Sequence, residues 1–169
     1  MISQYMNKYE KDMKVGFVFA YPNGLESDLA NTKIGSLGLN FQNLLYRLNK
    51  KCPTVFTTCC KGDYSIINVF PKAIVGDIDN DLTIIDNPEN IERIKVMLNG
   101  LDTVVCFGGK SQYILNKILS QNHFKINVIK AQSLTWYNTC KRNKYSNRKL
   151  VTDYRTVNAY NEIVRQLER

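Results

Sequence analysis

Short apolar runs separated by longer amphipathic or polar stretches extend through most of the chain. Continuous apolar runs are typical of strands that are buried on both faces, and they occur at 14–20, 65–70, 103–107 and 125–129. Residues 54–59 (TVFTTC) have the composition of a further strand. This run would either form a hairpin with 65–70 or belong to one interrupted edge.

Helical periodicity marks the segments between these runs. Four segments show it: 40–49, 88–98, 111–119 and 157–167. The clearest signals flank 88–98, where Asp86 or Asn87 can cap the helix and Pro88 suits its first position. Gly100 then ends it.

Strands and helices alternate along the chain, and this order predicts the fold class. Alternation of this kind favours a parallel sheet covered on both faces by helices. We therefore expect an α/β protein, a three-layer α/β/α sandwich around a central, mainly parallel four-stranded sheet. A length of 169 residues fits one domain, spanning 1–169.

The fold predicts where a ligand would bind. In parallel sheets, ligands bind at the loops that leave the carboxyl ends of the strands. Here those loops are 21–24, 68–71, 108–112 and 130–138. His123 is the only histidine and precedes a strand, so we expect it at the opposite edge of the sheet.

Composition and charge narrow the environment and the partners. The sequence has no apolar run long enough to span a membrane and no apolar segment near its start, so we expect a cytosolic protein. Five cysteines without a CxxC pair indicate reduced thiols, and we expect neither a metal nor a cofactor. A net charge of +8 favours polyanionic partners.

Three polar features at the predicted carboxyl edge are candidates for binding. Asn23 lies in a Pro-Asn-Gly turn, which either simply ends the strand or positions a water or a base. Asn68 interrupts an apolar strand, so its amide either bridges backbone groups or meets a ligand such as a pyrimidine edge. Gly108 and Gly109 form either a tight turn or a phosphate-binding helix N-terminus.

The net positive charge is concentrated after the last predicted strand. Residues 135–149 interleave aromatic and cationic side chains, a pattern suited to phosphate contacts and base stacking or to a solvated basic loop. The candidate DNA-binding residues here are Trp136, Tyr137, Lys141, Arg142, Lys144, Arg148 and Lys149. Lys110 and Ser111 join them from the glycine turn.

These segments, in this order, resemble the uracil-DNA glycosylase superfamily over roughly residues 14–140. KVGFVFAYPNG resembles its first motif, a strand ending in a Gly-x-(Asn/Asp)-Pro-Gly type of turn, and SIINVFP resembles the strand whose asparagine recognises uracil. IGSLGLNFQNLLYRLN is similar to the segment and helix after the first motif, and DTVVCFGGKSQYIL to the strand and helix before the final motif. That final motif, normally His-Pro-Ser, falls at 130–133.

The resemblance implies roles for particular residues. Tyr21 aligns best with the first-motif carboxylate or amide, and Asn23 would hold the hydrolytic water. Lys130 stands in or near the place of the missing final-motif histidine and would stabilise the departing base as a cation. The residues implied in substrate binding are Pro22, Phe41, Asn68, Gln132 and Ser133, with Phe41 stacking on the extruded base.

The resemblance implies a DNA base-excision glycosylase that flips uracil or another altered base and hydrolyses its N-glycosidic bond, acting as a monomer on DNA. One alternative is a catalytically inactive relative that binds DNA or a nucleotide-like ligand through the same pocket. Another is an unrelated nucleotide-binding α/β domain that uses Gly108 and Gly109.

Overall fold

Four strands and five α-helices lie in the part of the chain that the structure, a computed structural model, describes. The described residues are 14–20, 36–71, 82–134 and 148–169, with side chains described from Asn40 in the first helix and from Tyr154 in the last. The strands are β1 (Val15–Phe19), β2 (Ser65–Asn68), β3 (Thr103–Phe107) and β4 (Asn127–Ala131). The helices are α1 (Ser36–Lys51), α2 (Leu82–Ile85), α3 (Pro88–Leu98), α4 (Gly108–Gln121) and α5 (Arg148–Leu167).

The strands form one sheet in the order β2-β1-β3-β4, and every neighbouring pair is parallel. The α/β class and the four-stranded parallel sheet expected from the sequence are therefore confirmed. Because all four strands run the same way, their carboxyl ends meet at one edge. His123 precedes β4 and is exposed, so it lies toward the opposite edge, as expected.

Alternate residues of the central strands enter two separate hydrophobic clusters. Phe17 and Phe19 of β1 belong to one cluster, together with buried residues of α1 and α5. Val18 belongs to the other, together with buried residues of α3 and α4. Successive side chains of a strand point to opposite faces, so helices pack on both faces of the sheet. The two clusters account for the continuous apolar character of the central strands.

Aromatic rings concentrate in the first cluster, near the carboxyl edge. The rings of Phe19 and Phe107 stack with centroids 4.8 Å apart, and Phe41 meets Phe17 edge-on at 4.9 Å. Both arrangements are favourable for aromatic pairs beyond the area that they bury. The strand ends that carry the candidate site therefore rest on a tightly packed support.

The predicted elements differ from the observed ones mainly at their ends. Helix 88–98 is confirmed, and the side chain of Asn87 accepts from the backbone N–H of Glu89 at 2.9 Å. The other helices are longer than predicted, since α1 begins at Ser36, α4 at Gly108 and α5 at Arg148. The last strand is shifted by two residues and takes in Lys130.

The predicted strand at 54–59 is wrong. The chain turns after α1, where the N–H groups of Val55 and Phe56 donate to the carbonyl of Cys52. The hydroxyl of Tyr64 then donates to the carbonyl of Thr58 at 2.6 Å and holds the following loop. Phe56 in this run is fully buried from the turn, which accounts for its apolar character. The run does not join the sheet.

None of the helices in the described segments has both the length and the apolar character needed to cross a bilayer.

Candidate functional site

A shallow, open surface cleft of about 440 Å³ lies at the carboxyl edge of the sheet, between the start of α4, the end of β4 and α5. Its lining comes from three separate parts of the chain. The lining residues are Gly108, Gly109, Gln112, Lys130, Ala131, Gln132, Ser133 and Glu162. The cleft therefore coincides with two of the four loops that the strand order marks as binding positions.

Helix α4 begins directly at the end of β3 because Gly108 adopts a backbone conformation that other residues rarely adopt. Its φ is +78°, and an added Cβ would lie 3.4 Å from the Cβ of Ser133. Phe107, at the N-cap position, gives the first helical turn no side-chain hydrogen bond. The positive end of the helix dipole thus lies at the cleft, where it favours negative charge.

Lys130 is exposed and lies in β4, rather than in the loop that follows it. It is paired with Cys106 of β3. Burial raises the pKa of the Cys106 thiol to about 12, and the nearby positive charge of Lys130 opposes this rise. Cys106 is therefore an inert core thiol, and the ammonium of Lys130 makes no ion pair with any described residue.

Backbone hydrogen bonds fix the polar side chains of the cleft wall. The backbone N–H of Gln132 donates to Glu162 Oε2 at 2.6 Å, and the Gln132 side chain donates to the carbonyl of Arg155 at 3.0 Å. The side chain of Gln112 donates to the carbonyl of Ala131 at 3.3 Å. These contacts tie β4 to α4 on one side and to α5 on the other, and they give the cleft a defined shape.

The outer backbone edge of β4 is covered by side chains of α5. Gln166 accepts from the N–H of Lys130 at 3.0 Å and donates to its carbonyl at 2.7 Å. Glu162, one helical turn earlier, accepts from the N–H of Gln132. The two side chains occupy hydrogen-bonding positions that a further strand would otherwise take.

Asn68 lies at the same edge of the sheet but on the opposite outer strand. With β1 and β3 between them, β2 and β4 are separated by three strand spacings, about 14 Å. Asn68 is partly buried, and its side-chain amide makes no hydrogen bond with any described residue. In the described part of the chain, the Asn68 amide therefore does not bridge backbone groups. The other hypothesis, in which the amide meets a ligand, stays a prediction.

The backbone of Asn68 is held by a pair of residues from α3 that the sequence analysis missed. Arg93 Nη2 donates to the carbonyl of Asn68 at 2.6 Å and to Asn90 Oδ1 at 2.8 Å, and Arg93 Nε donates to the same oxygen at 3.1 Å. The amide of Asn90 in turn donates to the carbonyls of Val69 and Ile85. Burial of the guanidinium lowers the pKa of Arg93. No local pattern reveals this pair, because its partners at the end of β2 lie 21 to 25 residues away.

Three further candidates have different environments. Lys110 Nζ lies 5.5 Å from the ring centroid of Phe70, just beyond β2, so Lys110 stands at the carboxyl edge. Ser111 is fully buried, and its hydroxyl is out of reach of a DNA backbone. Phe41 is 5% exposed and packs between Phe17 and Phe19, so its ring lies in the core and is not free to stack on a base.

The remaining candidates lie outside the described residues or lack a described side chain. Outside them are Tyr21, Pro22, Asn23, Trp136, Tyr137, Lys141, Arg142 and Lys144. Arg148 and Lys149 belong to the first turn of α5, and their side chains are not described. In the sequence, residue 21 lies just after β1, which ends at Phe19, and residue 135 lies just after the cleft residues 130–133.

Glu162 is a further functional residue that was not predicted from the sequence. This residue lies beside the buried residue Ile163 of α5, and only its contact with Gln132, thirty residues away, brings it into the cleft. Among the described residues, no group of three or more histidine, cysteine or acidic side chains is arranged to hold a metal ion. Comparison of the chain with protein-family models, curated proteins and solved structures found no match.

Proposed function

We propose that the protein is a divergent DNA glycosylase, which binds DNA at the carboxyl edge of its sheet and hydrolyses the N-glycosidic bond of uracil or another altered base. We further propose that it acts as a monomer in the cytosol. The observation that carries the proposal is the amide of Asn68, which makes no hydrogen bond with any described residue. The cleft around Lys130 lies at the same edge of the sheet, about 14 Å away on the other outer strand. Neither side chain hydrogen-bonds another described residue, so each is available to a ligand.

The amide of Asn68 suits the recognition of a base. It presents a donor and an acceptor side by side, as the edge of a pyrimidine does in complementary order. Arg93 and the β1–β2 pairing hold its backbone from both sides, so its position is fixed before a ligand arrives. A base that fails to match the amide would leave buried polar groups unpaired, at a cost of about 1–3 kcal/mol each.

Lys130 supplies the electrostatic part of the proposed reaction. Breaking the glycosidic bond leaves negative charge on the base, and a fixed positive charge nearby lowers the energy of that state. The positive end of the α4 dipole at the cleft would stabilise the same negative charge. The catalytic role of Tyr21 and the water-holding role of Asn23 stay predictions.

Charge supports DNA as the partner. The chain carries a net charge of +8, and the cluster of cations at 141–149 follows the cleft in sequence. Each phosphate that such residues neutralise releases counterions, so affinity should fall steeply as salt is added. Extruding a base from the duplex costs a few kcal/mol. Contacts of the carboxyl edge with the extruded base, and of the cations with the DNA backbone, would have to offset this cost.

The test is abasic-site formation on oligonucleotides that contain uracil, hypoxanthine, xanthine or a mismatch, in single and double strands. We expect strand breaks after alkali treatment for at least one base, and a loss of about 100-fold or more in rate for Lys130→Ala. Asn68→Ala should relax the discrimination between bases. Lys125→Ala, an exposed cation just before β4, is the matched control. Equal rates for Lys130→Ala and the wild type would remove Lys130 from the mechanism.

A second candidate function is binding of DNA or a nucleotide-like ligand without cleavage. It is favoured by one observation: the polar side chains of Gln112, Gln132 and Glu162 in the cleft already hydrogen-bond the backbone. The same oligonucleotides distinguish the two functions. Salt-dependent binding with no abasic product on any of them would select this second candidate.

A further inference from the structure

We propose that the carboxylate of Glu162 orients and deprotonates the water that attacks the sugar. This assignment rests on the proposed glycosylase function and deepens it. It concerns a residue of α5, which lies outside the segment of the chain that resembles the glycosylases. Glu162 is the acidic side chain among the residues that line the cleft.

The position of the Glu162 carboxylate is fixed from two sides. The residue is partly buried, and its helix is anchored next to it by the fully buried side chain of Ile163. Glu162 Oε2 accepts from the backbone N–H of Gln132 at 2.6 Å. Within the described residues, Oε1 makes no hydrogen bond. One oxygen thus anchors the group to the cleft wall, and the other remains able to accept a hydrogen bond from a water.

Opposite charges line this cleft without neutralising each other. Among the described ion pairs, none joins Lys130 to Glu162, although both residues line the cleft. Opposite charges that are kept apart suit a hydrolysis, because one group must stabilise the departing anion while the other accepts a proton.

The chemistry balances with water as the second reactant. The bond between the sugar C1′ and the base nitrogen breaks, and its electron pair leaves with the base, whose negative charge Lys130 stabilises. The water oxygen forms a new bond to C1′, and Glu162 takes up the proton that the water releases. That proton then passes to the base or to solvent, which restores the carboxylate.

A purely structural role does not account for a carboxylate at this position. Gln166 covers the same strand edge one turn later with a neutral amide, which both donates and accepts. An amide at 162 could also accept from the N–H of Gln132. Covering the edge therefore requires an acceptor but not a charge.

The test compares Glu162→Gln, which keeps the acceptor for Gln132, with Glu162→Ala, which opens space for a small carboxylate. We expect Glu162→Gln to lower kcat by about 100-fold or more, with DNA affinity within about twofold of wild type. Formate should restore at least tenfold activity to Glu162→Ala and none to the wild type. Gln166→Ala, which removes an edge contact without removing a charge, should lower stability and leave kcat within about threefold.

The outcomes are distinct. Full activity of Glu162→Gln on a substrate that the wild type cleaves would overturn this assignment and leave the proposed function standing. Loss of activity in Glu162→Ala without rescue by formate, accompanied by a similar loss in Gln166→Ala, would reduce Glu162 to a structural contact. A wild type that cleaves none of the oligonucleotides would overturn the glycosylase function, and the role of Glu162 with it.

Discussion

Removal of the Arg93 guanidinium should destabilise the protein far more than a surface substitution does. Arg93 joins α3 to the end of β2 by donating to the carbonyl of Asn68 and, from two nitrogens, to Asn90 Oδ1. Asn90 is 6% exposed, so in Arg93→Ala its side-chain oxygen would lie buried without these donors. The substitution therefore removes contacts and also creates an unsatisfied polar atom.

The magnitude follows from these contacts. A buried acceptor that loses its donor costs about 1–3 kcal/mol, and a hydrogen bond from a charged group to the partly exposed Asn68 carbonyl adds about 1.5 kcal/mol. Burial of the guanidinium disfavours its charge and offsets part of this. We expect a net loss of about 3 kcal/mol in the free energy of unfolding. For a chain of this size that corresponds to a Tm lower by roughly 6–12 °C.

Urea denaturation followed by circular dichroism measures this loss directly. With an m-value of about 2 kcal/mol/M, the midpoint of Arg93→Ala should fall by about 1.5 M. Arg93→Lys keeps the charge but cannot form the forked contact, so its midpoint should lie between those of the wild type and Arg93→Ala. Glu92→Ala on the same helix removes only the pair between the exposed Glu92 and the partly buried Lys95, and it should change stability by less than about 0.5 kcal/mol. An Arg93→Ala midpoint equal to that of Glu92→Ala would show that the Arg93 contacts do not stabilise the fold.

Two other predictions concern the support of the edge. Lys117 and Tyr113 hydrogen-bond Asp86 and lower the pKa of its carboxyl group. The ionised Asp86 therefore stabilises the fold at every pH above its unfolded pKa. This stabilisation is lost as the pH falls through the lower pKa of the folded state. The stability difference between wild type and Asp86→Asn should therefore shrink between pH 7 and pH 3 in thermal melts; a constant difference would contradict this. Phe41→Ala should cost about 3–5 kcal/mol, whereas Phe41→Leu should leave DNA affinity unchanged, measured by urea titration and fluorescence anisotropy; weaker binding by Phe41→Leu would restore a stacking role.

Local patterns predicted those elements whose signals are contained within a few residues. The buried strand β3 and the capped helix α3 were predicted with their observed bounds, because hydrophobic continuity and a capping residue act over short distances. The strand predicted at 54–59 was wrong for the same reason. The sequence around Phe56, which is buried from a turn, has the same local composition as a strand. Burial alone does not distinguish the two, and only the pairing of the backbone does.

The site was predicted less completely because it depends on contacts between distant parts of the chain. Strand order identified the carboxyl edge, and Asn68, Lys130 and Gln132 all lie there. Arg93 and Glu162 were missed because each acts through a backbone group 25 to 30 residues away. Charged residues on amphipathic helices ordinarily face solvent, so the sequence gives no reason to single these two out.

The cover that α5 gives to β4 also has a consequence for shortened forms of the chain. Gln166 lies 36 residues after the Lys130 whose backbone it protects. A chain that stops short of α5 would leave these backbone groups without their partners, and the strand of another polypeptide could then pair with them. Loss of the last helix should therefore promote aggregation, whatever its effect on DNA binding.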